Sequence, residues 1–375
     1  MTDVRRALVV GGGVAGLTCA VGLTRRGIEV VIAEINPGLA VQGIGIALQG
    51  PTLRALKTIG LLEECVAEGF GLRDLVIGNA DCEVTSVVPM PLLLGDKYPA
   101  VLGTMRPAFQ KVLAEAARAT GAEFRFGRTV ESLRQDRTGV DVVFSDGSEG
   151  RYDLVIGADG INSLIRGQVF DPALKPVRTG QTVWRAMLDR PKEVDTLMMF
   201  YGPRNKAGFN PCSEREMYVF LVQNTSDPIR VPAGQLPGVL REQLADFGGV
   251  MGQARERVVN PERIVCRPIE VVFCPAPWYR GRIVLVGDAA HATTPHLASG
   301  AGMAIEDSIV IAEELAIKPT IEEAMHGYMA RRFERSRMVY ENSIQLGEWE
   351  KNPTDPKADP AGLTARSLGL LAQPL

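Results

Sequence analysis

Histidine is scarce in this 375-residue chain: His291, His296 and His326 are its complement, too few for a histidine-rich metal site, and no metal ligand set is expected. The six cysteines, Cys19, Cys65, Cys82, Cys212, Cys266 and Cys274, show neither metal-ligand spacing nor the framework of a small disulfide-rich domain, so buried free thiols of a cytoplasmic protein are expected. Neither sign of charge dominates. With 41 Lys+Arg against 44 Asp+Glu, the formal net charge of -3 gives no electrostatic footprint for nucleic acid. No apolar run is long enough for a membrane span, and the first residues read as a strand rather than a signal peptide. Internal repeats and low-complexity runs are also missing. A monomer or homodimer acting on a small molecule is the expectation that remains.

Glycine, by contrast, is plentiful at 40 residues, and the 46% hydrophobic content suffices for at least two cores. The glycines cluster. Arg5-Arg6-Ala7-Leu8-Val9-Val10 is an apolar run of strand length, and Gly11, Gly13 and Gly16 follow it in the pattern G-x-G-x-x-G. Gly11 permits the tight turn, Gly13 lets backbone approach a diphosphate, and Gly16 lets the next helix pack on its strand. That helix is predicted from about Val14 to Arg26, stopped by Gly27. Its first N–H groups, at Val14 and Ala15, would face the diphosphate, with the dipole contributing roughly 0.3–2 kcal/mol. A second strand, Glu29–Glu34, ends in a carboxylate placed to hold a ribose without a 2′-phosphate.

A second glycine-rich segment, Val286-Gly287-Asp288-Ala289-Ala290-His291 through Gly300-Ala301-Gly302, returns some 270 residues later. A nicotinamide dinucleotide needs only the first cluster. A cofactor with a ribityl chain and a tricyclic ring needs both, so the pair points to FAD. The helix beginning near Ala301 would aim its N–H groups at the flavin pyrimidine edge, where the reduced ring carries negative charge.

Three further segments resemble the para-hydroxybenzoate-hydroxylase-like, single-component FAD aromatic monooxygenases: Asp153-Leu154-Val155-Ile156-Gly157-Ala158-Asp159-Gly160 running to Arg166, Arg282-Ile283-Val284-Leu285-Val286-Gly287-Asp288, and Met105-Arg106-Pro107-Ala108-Phe109. They occur in family order, over about residues 5–340. The resemblance implies that Asp288 hydrogen-bonds the ribityl hydroxyls, that Arg106 contacts the cofactor, and that Asp159 and Gly160 serve both FAD and the reduced nicotinamide. It also places Gly45 and Val130 at the cofactor. Two readings stay open beside these: Asp159 as a helix cap, and Arg106 as a solvated charge. The chain departs from the family at Ala298 and Ser299, where glycine and glutamine are usual, and at Gln42, where many relatives carry arginine or glutamate.

The fold implied is α/β, a Rossmann-like FAD-binding domain with an interleaved mixed β-sheet substrate domain. Residues 1–70, 98–170 and 275–345 form the first, 71–97 and 171–274 the second, and 346–375 a tail that is extended or docked. Two long helices are predicted at about Ala301–Ala316 and Ile321–Ile344. If the sheet roofs the ring, Trp184, Arg185, Phe200, Tyr201, Phe209, Tyr218 and Phe220 are candidates for its inner face, opposite Pro295 and His296. The aromatic stripe reads equally as core. Arg185 reads as a carboxylate clamp or as a structural ion pair.

The resemblance further implies that NADH or NADPH reduces FAD, that oxygen adds at flavin C4a, and that the hydroperoxide hydroxylates an aromatic or N-heteroaromatic, phenol-like ring, with or without a carboxylate. A base near the ring would help; His296, Tyr201 and Tyr218 are the candidates. A flavin-dependent reductase or oxidase, a halogenase on the same fold, and a non-enzymatic flavin-binding protein stand as alternatives.

Overall fold

The structure is a computed structural model describing residues 2–39, 43–227 and 229–375. Its first layer is a six-stranded sheet in the order Tyr279–Arg280, Ile283–Leu285, Leu154–Gly157, Arg6–Val10, Glu29–Glu34, Glu123–Phe126. All neighbours run parallel except the first pair. Arg6–Val10 lies at its centre with Val9 between Ile156 and Ile32, which explains why this segment is apolar without alternation: both faces are covered. The helix Val14–Thr24 packs on the helix Gly300–Ile317, and a side chain at Gly22 would already sit 3.2 Å from Ala312 Cβ. Small residues thus let the first and last parts of the nucleotide layer close on each other.

The second layer is a seven-stranded sheet in the order Ile264–Phe273, Val177–Asp189, Glu216–Asn224, Asn205–Pro211, Leu197–Tyr201, Asp74–Asn79, Val84–Pro89. Its period-two alternation separates two faces. Trp184, Ala186, Leu188, Phe200, Phe209, Val219 and Leu221 bury one face against Leu240, Leu244 and Met251. Tyr218, with Met187, Phe220 and Val265 packed beside it, belongs to the opposite face, against Ile44 and Met105.

Two elements differ from the sequence reading. The last long helix runs Ile321–Lys351, beyond its expected end. The tail, expected extended or docked, forms a helix over Pro360–Leu371, started by Asp359 accepting from Gly362 N–H and packed on the long helix through Leu363, Leu368 and Leu371. Four prolines in the last 24 residues suggested an extended chain, but Pro360 stands in the first turn, where no N–H is needed. Among the described residues no helix is long and apolar enough to cross a membrane.

Candidate flavin and substrate site

The three glycines of the opening turn do different work. A Cβ on Gly11, whose φ is +110°, would lie 2.3 Å from Ala158 O, and one on Gly16 would lie 1.9 Å from Gly11 O. Both serve packing between strand, turn and helix. Gly13 faces open space, with nothing within 4 Å of a Cβ. It is the N-cap of Val14–Thr24, which has no side-chain cap and no acid in its first turn, so the N–H groups at Val14 and Ala15 keep their capacity for an anion. Glu34 is buried behind the turn. Its carboxylate accepts from Gly12 N–H at 2.7 Å and from Asn36 N–H at 2.9 Å. Gln110 donates to Gly12 O and so braces the turn from the helix Arg106–Ala119.

The second glycine segment meets the first in space. Gly287, at φ +57°, is wedged so that a Cβ would lie 3.0 Å from Ala15 Cβ and 3.2 Å from Ala304 Cβ. Asp307, fully buried, accepts from Gly287 N–H at 2.8 Å, from His291 Nε2 at 2.6 Å and from Arg332 Nε at 2.8 Å. Burial opposes its charge, yet His291 and Arg332 hold its carboxyl below the ordinary value. Asp288 follows at the end of the buried strand and is exposed; among the described residues its carboxylate makes no hydrogen bond. The helix Gly300–Ile317 also begins without a side-chain cap or an acid, and Gly300 faces open space. Gly302 packs instead, since a Cβ there would sit 2.3 Å from Thr52 Oγ1. Ala298 adopts the left-handed conformation at φ +47°.

Other cofactor residues fall into distinct roles. Asp159 is turned inward: its carboxylate accepts from Ser163 Oγ at 2.5 Å, Leu164 N–H at 2.7 Å and Ile165 N–H at 3.1 Å, the capping arrangement. Gly160, at φ +76°, faces open space. Val130 is buried in the main core, leaving its backbone alone to face a ligand. Arg166 ties this loop to the second glycine segment, donating to Ile161 O at 2.7 Å and Ala289 O at 3.0 Å. Gln42 lies outside the described residues.

Above these turns lies the face of the large sheet that carries Arg185, Tyr218 and Phe220. Arg185 Nε is buried without a hydrogen-bond partner among the described residues, and the guanidinium stands 5.9 Å from the Tyr218 ring centre. Burial pushes the Tyr218 phenol up to about 12, opposed by the positive charge of Arg185. Arg106 feels burial first, then repulsion from Arg185, both lowering its proton affinity against the attraction of Asp288; Arg267 adds a smaller repulsion. Arg106 is thus a partly buried member of a cationic group and not a solvated charge. The Tyr218 ring fills the space at Gly45, where a Cβ would be 2.3 Å from its Cδ1, and the Phe220 ring fills that at Gly208, where a Cβ would be 2.4 Å from its Cζ.

Trp184, Phe200 and Phe209 correct the sequence reading. They point to the other face, where Trp184 Nε1 donates to Gln223 Oε1 at 2.6 Å and Phe200 meets Phe209 edge-on. In each strand a one-residue offset decides the face, and the aromatic stripe could not tell which was which. Tyr201 alternates with Phe200 and is 46% exposed on the side of the flavin turns.

His296 follows Pro295 in a 3-10 turn, Pro295–Leu297. Its Nδ1 contacts Thr294 Oγ1 at 2.8 Å and its Nε2 contacts Glu350 at 3.1 Å, so both ring nitrogens are engaged within the protein. Thr294 in turn donates to Ser343 O. Burial lowers the His296 imidazole below its ordinary value, with Glu350 opposing. Glu350 also pairs with Lys206 from the sheet. Although burial acts against it, Lys206 and His296 hold the Glu350 carboxyl down to about 2. Sequence reading missed Gln110, Lys206, Asp307, Arg332 and Glu350. Glu306 and Asp307 follow the glycine-rich segment closely, but the arginine that joins them, Arg332, lies in a long helix that carried no motif.

Two uncapped helix starts, the open face at Gly13 and an Asp288 carboxylate without a hydrogen bond among the described residues fit a diphosphate, a ribityl chain and a flavin edge. Comparisons with known proteins agree. A family described as "FAD binding domain" matches residues 4–343. The aurachin C monooxygenase/isomerase of Stigmatella aurantiaca is 31% identical over 353 residues, covering 92% of this chain and 90% of that protein. The 3-hydroxybenzoate 6-hydroxylase of Polaromonas naphthalenivorans is 29% identical over 358 residues, covering 91% and 86%. The crystal structure of Klebsiella pneumoniae HpxO complexed with FAD and uric acid superposes with a TM-score of 0.84 at 22% identity, covering 99% of this chain and 94% of that one.

Proposed function

The chain belongs to the FAD binding domain family of para-hydroxybenzoate-hydroxylase-like monooxygenases, and from that membership we propose that it uses NADH or NADPH and dioxygen to hydroxylate an anionic, phenol-like aromatic or N-heteroaromatic substrate. FAD, when bound, would supply the redox chemistry, hydride acceptance from the nicotinamide and activation of dioxygen, with one oxygen atom entering the ring and the other leaving as water.

The protein's own residues bind, orient and tune. The helix starts at Val14 and Gly300, with Gly13, Ala301 and Gly302 beside them, would hold diphosphate and flavin edge, Glu34 the adenosine ribose, and Asp288 and Arg106 the ribityl chain. Gly160 supplies backbone that a ring or sugar can approach, while Gly45 leaves room for the Tyr218 ring at the edge of the site. The observation that carries the substrate assignment is Arg185, a half-buried arginine on the sheet face above these turns whose buried Nε has no hydrogen-bond partner among the described residues. An anion there would complete its hydrogen bonding. Arg106 and Arg267, close enough to act electrostatically in the same group, add positive potential, which favours the ionised form of a bound phenol and so makes its ring more electron-rich. Tyr218, protonated at neutral pH, would donate to the substrate oxygen, and Phe220 would flank the ring.

No separate base is then needed at His296, whose nitrogens are occupied; with Pro295 it shapes the loop. Tyr201, exposed on the same face, is the remaining candidate for passing a proton to solvent. One of the relatives named above is a hydroxylase of 3-hydroxybenzoate, an aromatic acid, which supports this reading. A cytoplasmic monomer or homodimer is the setting we infer, supported by free cysteines among the described residues. The test is ligand-stimulated nicotinamide oxidation across aromatic acids and hydroxypyridines, with peroxide leakage measured alongside. Acceleration by anionic phenols supports the reading, whereas equal rates with and without every ring compound argue for a plain oxidase or reductase.

A further inference from the structure

The carbonyls that end the C-terminal helix are held by two arginines whose other partner is a buried acid beside the flavin turns. Arg335 donates to Leu370 O at 3.0 Å and Leu371 O at 2.6 Å, and Arg54 donates to Leu371 O and Gln373 O, each at 2.9 Å. Such cations complement the unsatisfied carbonyls and negative dipole end of a helix. Arg335 also makes a two-pronged pair with Glu306, through Nε and Nη2 at 2.9 Å each. Glu306 is 2% exposed and takes a third bond from Arg332 at 2.6 Å. Arg332, itself fully buried, continues to Asp307, which holds Gly287 N–H. Every member of this chain of contacts is seen: helix end, Arg54 and Arg335, Glu306, Arg332, Asp307, Gly287.

A second, apolar route runs in parallel. Leu371, with Leu363 and Leu368 at its flank, packs in one cluster with Leu297 of the loop that precedes the helix Gly300–Ile317 and with Met303 in that helix's first turn. The C-terminal helix therefore touches both structures that shape the second half of the flavin site, one by charge and one by packing.

We propose that the C-terminal helix is a clamp energetically coupled to FAD binding, with Arg54 and Arg335 as its positioning residues. The proposal rests on the FAD site described above. When the clamp is seated, Gly287 and the loop at Leu297 are held in the geometry the cofactor needs. By reciprocity, FAD must then hold the clamp.

The experiment is hydrogen exchange on the full-length protein, with and without FAD, read at the amides of 363–371. The helix Leu236–Gln243, on the far face of the large sheet, serves as the reference. Expected is slower exchange of the C-terminal helix on FAD binding, by a larger factor than in the reference. In R54K and R335K, which keep a positive charge for Glu306 but lose the fork to the carbonyls, FAD should bind roughly 5- to 150-fold more weakly, the range of ordinary coupling, and the extra protection should vanish. Equal slowing in both helices, or lysine variants that bind FAD as tightly as the unaltered protein, overturns the proposal. Should a variant fail to fold, the exchange of the unaltered protein decides alone. Failure of the unaltered protein to bind FAD would instead sink the cofactor reading on which the clamp depends.

Discussion

Asp307 holds the peptide N–H of Gly287 at 2.8 Å from a position with no solvent exposure. The residue next to that peptide is Asp288, the exposed carboxylate proposed to hold the ribityl chain, so a buried acid fixes where an exposed one points. Asp307→Asn keeps the shape but removes the charge facing His291 and Arg332. Breaking a buried pair of this kind costs about 3–5 kcal/mol, and urea unfolding should show a loss of that order, together with weaker FAD binding. A variant as stable as the parent would show that this carboxylate is not the anchor.

Arg185 is expected to govern substrate binding rather than folding. Arg185→Lys retains charge but loses the fork, and kcat/KM for an anionic phenol should fall roughly 10- to 100-fold, equivalent to about 1.5–3 kcal/mol for hydrogen bonds to a charged group. The loss should appear in KM. Neutral ring compounds should be affected much less, and steady-state kinetics on a matched acid and amide pair separates the two.

Ala298 sits in the left-handed region at φ +47°, a conformation costing a residue with Cβ about 1–2 kcal/mol. Ala298→Gly relieves that strain but adds about 0.4–1 kcal/mol of unfolded-state entropy. A small net stabilisation is expected, visible as a rise in Tm. Gly302→Ala should go the other way by about 1–3 kcal/mol, because its methyl would meet Thr52 Oγ1 at 2.3 Å.

Glu350 gives a pH signature. Its folded pKa of about 2 lies below the model-peptide value near 4.5, so it contributes stability above pH 4.5 that is lost as pH falls toward 2, in all about 3 kcal/mol. His296, also lowered, acts in the same direction, because its unfolded form takes up protons first, below about pH 6.5. Glu350→Gln should flatten the acid limb of the stability profile measured by denaturant titration.

Much of this molecule was legible from sequence because its chemistry is local. The glycines at Gly11, Gly13 and Gly16, the acid at Glu34 and the strand-ending Asp288 each sit beside the backbone feature that requires them. The substrate face was legible only in part. Alternation showed that Tyr218 and Phe220 share a face, but which face of each strand looks at the cofactor depends on its register against the strands on either side, so Trp184 and Phe200 were misplaced. Glu350 and Lys206 could not be paired at all, since they lie 144 residues apart and meet only when the long helix crosses the sheet.

The most direct test of the central claim is the fate of dioxygen. Purified protein loaded with FAD, supplied with reduced nicotinamide, an anionic phenol and heavy-isotope dioxygen, should yield a ring product carrying one labelled oxygen atom, in step with nicotinamide consumption. Product without label, or a polypeptide that stays colourless after mixing with FAD, would contradict the account.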